Sequence, residues 1–126
     1  MWAMTDHELK RNVLIVEDDP TLREAFTIAF KTAGFFVASA EDGLGALDKA
    51  AHHEFDLIIL DILMPHLDGF GFLEKFDCQH KHPDTKIIVF SNDFSLDNAK
   101  RAKDLGAYLY YAKAALTPHD LVKAVR

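Results

Sequence analysis

The sequence predicts an α/β fold in which a doubly wound, five-stranded parallel sheet is covered by helices on both faces. Short apolar runs of strand length alternate with segments whose apolar residues recur every three or four positions, the helical period. The short runs are apolar at nearly every position, which is typical of parallel strands buried on both faces. With 126 residues, of which 49% are apolar, the chain is expected to form one domain around one sheet.

Five segments are predicted to be strands. Each is rich in branched or aromatic residues, which favour strands, and each is followed directly by a polar residue. The predicted strands are residues 13–16, 35–38, 57–60, 86–90 and 108–112. Strict alternation with helices predicts right-handed crossovers and a functional site beyond the carboxyl ends of the strands.

Five segments are predicted to be helices from their apolar periodicity. The apolar residues that mark these helical faces are, in chain order, Leu22, Ala25, Phe26, Ala29 and Phe30; Leu44, Leu47 and Ala51; Phe70, Phe72, Leu73 and Phe76; Ala99, Ala102 and Leu105; and Leu121, Val122 and Val125. Gly34 and Gly106 are expected to end the first and fourth helices. Thr117 and Pro118 predict the start of the last helix, as N-cap and first helical residue.

Composition excludes several classes of function. The formal net charge of -6 argues against a nucleic-acid surface, which needs clustered Lys and Arg. No apolar run is long enough to span a membrane and the N-terminus does not look like a signal peptide, so we expect a cytoplasmic protein. The single cysteine, Cys78, has no internal disulfide partner. Residues 1–11 are expected to form a polar tail, and residues 12–126 the domain.

Three carboxylates are predicted to meet at one edge of the sheet. Glu17 and Asp18 follow the first strand, and Asp61 follows the third. Like charges this close repel each other unless a cation neutralises them, and Mg²⁺ prefers oxygen ligands. Ser91 and Lys113 follow the fourth and fifth strands, where a hydroxyl and an ammonium would suit an anion such as a phosphoryl group on Asp61.

Four motifs in register resemble the receiver domain of two-component response regulators, over residues 12–126. They are Val-Leu-Ile-Val-Glu-Asp-Asp at 13–19, Asp-Ile-Leu-Met-Pro-His-Leu-Asp-Gly at 61–69, Phe-Ser at 90–91, and Gly-Ala at 106–107 leading to Tyr110 and Lys113. The resemblance implies a flavodoxin-like (βα)₅ fold with strand order 2-1-3-4-5. It also implies that Asp61 accepts a phosphoryl group from a histidine kinase or a phosphotransfer protein.

The resemblance further assigns a metal site. It implies that Asp18 binds Mg²⁺ directly and that Glu17 binds it through water. Asp61 and the backbone carbonyl of Leu63 would complete the protein ligands.

The same resemblance assigns the residues that respond to the phosphoryl group. Ser91 and Lys113 would each contact a phosphoryl oxygen. Tyr110 would turn inward as Ser91 moves, which would change the surface formed by the fourth helix and the fifth strand for an output partner that the sequence does not identify. A phosphorylation-dependent homodimer is one expected form of that output. No enzyme activity is expected beyond slow autodephosphorylation.

Two positions depart from the pattern of the family. Ala114 replaces the usual proline after Lys113, and because a cis bond before a non-proline residue costs roughly 2.5 to 4 kcal/mol, we expect a trans bond and a shifted or looser loop. Asn92 stands where the family usually has a small residue. We expect its side chain to hinder attacking water or partners and so to lengthen the lifetime of the acyl phosphate.

Other functions remain open at this stage. A degenerate receiver that binds partners without phosphate is the first alternative, and Ala114 is the residue that favours it. A flavin carrier would need a Ser/Thr/Gly-rich loop after the first strand, where this chain has acids, and an Asp-dependent phosphatase commonly has its nucleophile there instead. Cys78, His80 and His82 are potential zinc ligands, but their spacing before Pro83 is more typical of a polar loop. The sequence fits a stand-alone receiver or a piece of a longer regulator.

Overall fold

The structure, a computed structural model, describes residues 11–93 and 95–125. The predicted tail therefore lies outside the described residues except for Arg11. The Arg11 guanidinium donates a hydrogen bond of 3.1 Å to the carbonyl of Val125.

Five parallel strands form one sheet. They are β1 (Asn12–Val16), β2 (Phe36–Ala40), β3 (Leu57–Leu60), β4 (Lys86–Ser91) and β5 (Leu109–Ala112), in the order β2-β1-β3-β4-β5. All four neighbouring pairs are parallel. The predicted fold class and the strand order implied by the resemblance are both confirmed.

Helices connect the strands and follow the last one. In the described part of the chain they are α1 (Pro20–Thr32), α2 (Gly43–His52), α3 (Gly69–Phe76), α4 (Cys78–Lys81), α5 (Leu96–Asp104) and α6 (Pro118–Val125). Five match the predicted segments. The one-turn α4 was not predicted; it follows Asp77, which has a φ of 50° and ends α3 in the left-handed conformation. None of these described helices combines the length and the hydrophobicity that a membrane span requires.

The core has two layers because side chains alternate between the faces of the sheet. Leu14 and Val16 of β1 pack with α2, α3 and α5, whereas Val13 and Ile15 pack with α1 and α6. Both layers contain large aromatic residues. Because both faces of the sheet are covered by apolar side chains, the polar residues that could form a functional site lie at the ends of the strands.

The predicted apolar face of α2 was wrong. Leu44 is 55% exposed and Ala51 is also exposed, whereas Ala46 and Ala50 face the core. Leu47 packs partly against that core. Small residues let α2 lie close to the sheet, so volume rather than hydrophobicity alone decides which face is buried here.

Candidate functional site

Three carboxylates meet at the carboxyl ends of β1 and β3. These strands are neighbours with Val16 opposite Leu60, so the residues that follow them, Glu17 and Asp61, lie side by side. The backbone N–H of Asp61 donates to the carbonyl of Val16 at 3.0 Å, which continues the ladder by one residue. Oxygens of Glu17, Asp18 and Asp61 all lie within 4.8 Å of one another. The predicted acidic set is therefore assembled.

The three acids differ in exposure. Glu17 is 2% exposed and Asp61 is 4% exposed, whereas Asp18 is exposed. Burial raises the pKa of Glu17 to about 7, and the negative charge of Asp61 adds to that rise. Two carboxylates of the site are therefore buried, and the third, that of Asp18, is exposed to solvent at its opening.

Lys113 neutralises the two buried acids. Its Nζ lies 2.8 Å from Oε1 of Glu17 and 3.0 Å from Oδ2 of Asp61. Burial acts to lower the pKa of Lys113, but its hydrogen bonds to Glu17 and Asp61 outweigh that effect and raise the pKa. Lys113 is therefore one cation that lies beside Asp61.

The segment after β5 places Lys113 without a cis bond. The backbone N–H of Lys113 donates to the carbonyl of Ser91 at 3.0 Å, and that of Ala115 donates to Ala112 at 3.0 Å. None of the described peptide bonds is cis, including the bond before Ala114, which agrees with the trans bond predicted there. Lys113 reaches Asp61 in this trans arrangement.

Ser91 and Tyr110 share a hydrogen-bond network at the end of β4. Ser91 is fully buried, and its Oγ accepts a hydrogen bond of 3.2 Å from the backbone N–H of Asp93. The hydroxyl of Tyr110 donates a hydrogen bond to the carbonyl of Asp93, the residue whose N–H donates to Ser91. Burial raises the pKa of Tyr110. Asp93 also accepts a hydrogen bond of 2.9 Å from the side chain of Asn98 in α5, so the network extends from the site to that helix.

The loop after β3 lies against the start of α2. The backbone N–H of Leu63 lies 3.4 Å from Oδ1 of Asp61. His66 has a φ of 68°, and its Nδ1 lies 2.7 Å from Oδ2 of Asp42, the N-cap of α2. The backbone N–H of Gly43 donates to the carbonyl of Leu67 at 3.0 Å. These contacts determine the course of the loop that carries Leu63.

Asp19 and Arg23 also lie near the acidic set, and the sequence indicated the role of Asp19 but not that of Arg23. Asp19 caps α1 by accepting a hydrogen bond of 3.0 Å from the backbone N–H of Thr21, as its place before a helix suggests. Arg23 was missed: its Nη1 donates to the carbonyl of Glu17 at 2.8 Å and lies 3.4 Å from that of Asp18. Its position in the first turn of α1, four residues after the acidic run, was the available signal.

Cys78, His80 and His82 do not converge on a metal site. Cys78 is buried with its Sγ 3.5 Å from the carbonyl of Gly106. His80 lies 2.7 Å from Oδ1 of Asp77, and the ring of His82 stacks on Phe76 at a centroid distance of 4.2 Å. Within residues 11–93 and 95–125, the set of Glu17, Asp18 and Asp61 is the group of three side chains placed to hold a metal ion.

The arrangement suits a hard cation and an anion together. Carboxylate oxygens at an open edge are the ligands that Mg²⁺ prefers, and a buried aspartate beside a lysine resembles a nucleophile with its countercharge. Such a site favours phosphoryl transfer, where the transition state needs positioning and neutralisation of charge.

Comparisons with known proteins identify one family. The family model described as response regulator receiver domain matches residues 13–126. Among curated relatives, the chain is 33% identical to the probable transcriptional regulator ycf27 of Guillardia theta over 96% of this chain and 46% of that protein. It is 32% identical to the gliding motility regulatory protein of Myxococcus xanthus over 90% of this chain and 14% of that protein. The chain thus spans less than half the length of either relative.

Solved structures show the same architecture. The chemotaxis protein CheY4 of Vibrio cholerae is 31% identical, with a TM-score of 0.84 over 92% of this chain and 96% of that chain. A CheY-like response regulator receiver domain protein of Methanospirillum hungatei is 28% identical, with a TM-score of 0.84 over 92% and 90% of the two chains.

Proposed function

This chain belongs to the family of response regulator receiver domains, and we propose that it accepts a phosphoryl group on Asp61 from a histidine kinase or a histidine phosphotransfer protein. The observation that carries the proposal is the contact of 3.0 Å between Lys113 Nζ and Asp61 Oδ2, beside the acidic set. A buried aspartate with a lysine countercharge and an open front is equipped to become an acyl phosphate.

Phosphoryl transfer to Asp61 requires only the phosphorylated donor and the Asp61 carboxylate. A carboxylate oxygen of Asp61 attacks the phosphorus of the donor, and the bond between that phosphorus and the donor's imidazole nitrogen breaks. The electron pair of that bond stays on the imidazole. Lys113 and the hydroxyl of Ser91 are the groups at this edge that can contact the new phosphoryl oxygens as donors.

The donor set fits Mg²⁺. Glu17, Asp18 and Asp61 supply hard oxygen ligands within 4.8 Å of one another, and the carbonyl of Leu63 belongs to the adjacent loop. When bound, the ion supplies positive charge that offsets the charge of the phosphoryl oxygens. Lys113 also supplies positive charge between Glu17 and Asp61.

The response to phosphorylation would pass through Ser91 and Tyr110. Both already contact the loop between β4 and α5 through Asp93. A phosphoryl group that draws the Ser91 hydroxyl toward Asp61 would break the bond from Asp93 and change the start of α5. The faces of α5 and β5 are therefore the proposed output surface, for an unidentified partner or for a second phosphorylated copy.

Two further properties are proposed. The protein is proposed to be a phosphoacceptor with at most slow autodephosphorylation rather than a turnover enzyme. Its cytoplasmic location is expected from the sequence.

The experiment that tests the function is a titration with beryllofluoride and Mg²⁺, followed by amide NMR. Beryllofluoride mimics a phosphoryl group on a carboxylate. We expect saturable shifts near Asp61 that spread to Ser91 and Tyr110, and no such shifts in Asp61→Asn. A wild-type protein with no saturable response would instead support the degenerate receiver that binds partners without phosphate.

A further inference from the structure

Arg23 connects helix α1 to the backbone of the acidic turn. Its Nη1 donates to the carbonyl of Glu17 at 2.8 Å and lies 3.4 Å from the carbonyl of Asp18. Its Nη2 lies 3.8 Å from Oε1 of Glu41, just after β2. The Arg23 side chain is only 19% exposed. Its contact with the Glu17 carbonyl is partly buried, whereas its contacts with Asp18 and Glu41 are exposed. The hydrogen bond to Glu17 is charge-assisted and partly shielded from solvent, and is therefore the strongest of the three.

The other hydrogen bonds described for residues 17–19 do not use the carbonyls of Glu17 and Asp18. The N–H of Glu17 donates to the carbonyl of Ala40 at 3.1 Å. The N–H of Asp19 lies 3.2 Å from Oε2 of Glu17, and the Asp19 side chain caps α1 at Thr21. The contacts of Arg23 therefore orient the peptide units on both sides of the Asp18 α-carbon.

We propose that Arg23 is a positioning residue for the divalent-cation site. By binding the carbonyls of Glu17 and Asp18, it restricts the backbone that directs the Asp18 carboxylate toward the opening of the site. The inference rests on the proposed function, because it concerns the Mg²⁺ site of that function.

Arg23 differs from Lys113 in which oxygens it contacts. Lys113 binds the carboxylates of Glu17 and Asp61, so it occupies the oxygens that a metal ion would use. Arg23 donates to peptide carbonyls, and the carboxylate near its guanidinium is that of Glu41, which does not belong to the acidic set. A positioning effect of Arg23 is therefore separable from competition with the ion.

The sign of the effect distinguishes positioning from simple electrostatics. Replacing Arg23 by Gln removes a positive charge near the cation site, which by Coulomb's law alone would tighten Mg²⁺ binding. Loss of the contacts to the two carbonyls would loosen the turn and weaken binding. Positioning thus predicts weaker Mg²⁺ binding in Arg23→Gln, whereas the loss of charge alone predicts tighter binding.

The test measures the Mg²⁺ dissociation constant by amide NMR titration of the metal-free protein. For Arg23→Gln we expect binding weakened on the order of tenfold, the scale seen when a group supporting metal ligands is removed. Arg23→Lys keeps the charge but not the planar fork of donors, so its constant should lie between those of the wild type and Arg23→Gln.

Lys31→Gln is the matched control. Lys31 is an exposed residue of α1, eight residues and therefore about 12 Å along the helix from Arg23. Its substitution makes the same change of charge in the same helix, and we expect the constant to stay within about twofold because salt screens exposed charges at that distance.

The outcomes separate the two claims. Mg²⁺ binding in Arg23→Gln that is equal to or tighter than in the wild type overturns the role of Arg23 and leaves the proposed function intact. A wild-type protein that does not bind Mg²⁺ overturns the proposed function and this role with it. If Arg23→Gln does not fold, Arg23→Lys decides, and a constant equal to that of the wild type contradicts positioning.

Discussion

Nζ of Lys113 lies 3.0 Å from Oδ2 of Asp61, although the two residues are 52 positions apart in the chain. The same ammonium lies 2.8 Å from Oε1 of Glu17. One lysine therefore supplies the positive charge between two buried carboxylates. The ammonium offsets part of the repulsion between these two buried acids of neighbouring strands.

Replacing Lys113 by Met should destabilise the metal-free protein. Without the ammonium, Glu17 and Asp61 would be buried without their common partner, and we expect a loss of about 1–3 kcal/mol in the free energy of unfolding at pH 8. Urea unfolding in the presence of a chelator measures this loss. Lys100→Met, an exposed change in α5, should cost less than about 0.5 kcal/mol. Equal effects of the two substitutions would contradict the role assigned to Lys113.

Glu17 should make the metal-free protein less stable as the pH rises. Its pKa is raised from 4.5 to about 7 by burial, so between these values the folded chain binds more protons than the unfolded chain. The Glu17 contribution is fully present below pH 4.5 and is lost as the pH rises through about 7. It lowers the free energy of unfolding by at most about 1.4 kcal/mol per pH unit.

Glu17→Gln isolates this contribution. The difference in stability between wild type and Glu17→Gln, measured by urea unfolding with a chelator from pH 5 to 8, should fall with rising pH. Glu24→Gln, at an exposed position of α1, should leave the wild-type slope unchanged. Parallel curves for wild type and Glu17→Gln would mean that Glu17 does not titrate in this range.

Gly69 should tolerate no side chain because it lies against the backbone of Asp61. A Cβ there would lie 2.5 Å from the carbonyl oxygen of Asp61 and 2.7 Å from Cα of Ile62. We expect Gly69→Ala to cost about 1–3 kcal/mol and to shift the amide resonance of Asp61. Gly45→Ala is the control, since its Cβ would meet only side chains, the nearest at 3.3 Å, and alanine favours a helix. If Gly69→Ala had the stability and the spectra of the wild type, the close contact of Gly69 with the backbone of Asp61 would be refuted.

Asn92 should prolong the life of the phosphorylated state. Its side chain is exposed directly after Ser91, at the edge where water must approach the acyl phosphate. We expect Asn92→Ala to lose phosphate several-fold faster, measured by the decay of labelled protein after removal of the donor. Gln79→Ala, which removes an exposed amide from α4, should decay at the wild-type rate. Equal rates for wild type and Asn92→Ala would remove this role.

The sequence was sufficient for the sheet and for where the site lies. Strand ends of a parallel sheet coincide at one edge, so apolar runs that stop at Glu17, Asp61 and Ser91 predict that these residues share that edge. Pairing of Val16 with Leu60 makes Glu17 and Asp61 neighbours. Such long-range placement follows from topology alone.

Features that depend on volume or on a single rotamer were not predicted. The buried face of α2 consists of Ala46 and Ala50 because close packing against the sheet favours small residues over Leu44. The contact of Arg23 with peptide carbonyls depends on the path of a long side chain, which periodicity does not specify. The contact of Lys113 with Glu17 as well as with Asp61 likewise could not be predicted without atomic distances.

Labelling with acetyl phosphate and Mg²⁺, wild type against Asp61→Asn, tests the central claim most directly. Asp19→Asn is the matched control, because asparagine caps a helix as well as aspartate does and the residue lies beside the site. We predict stoichiometric incorporation of phosphate in the wild type and in Asp19→Asn, and none in Asp61→Asn. Equal labelling of Asp61→Asn and the wild type would show that Asp61 is not the phosphoacceptor.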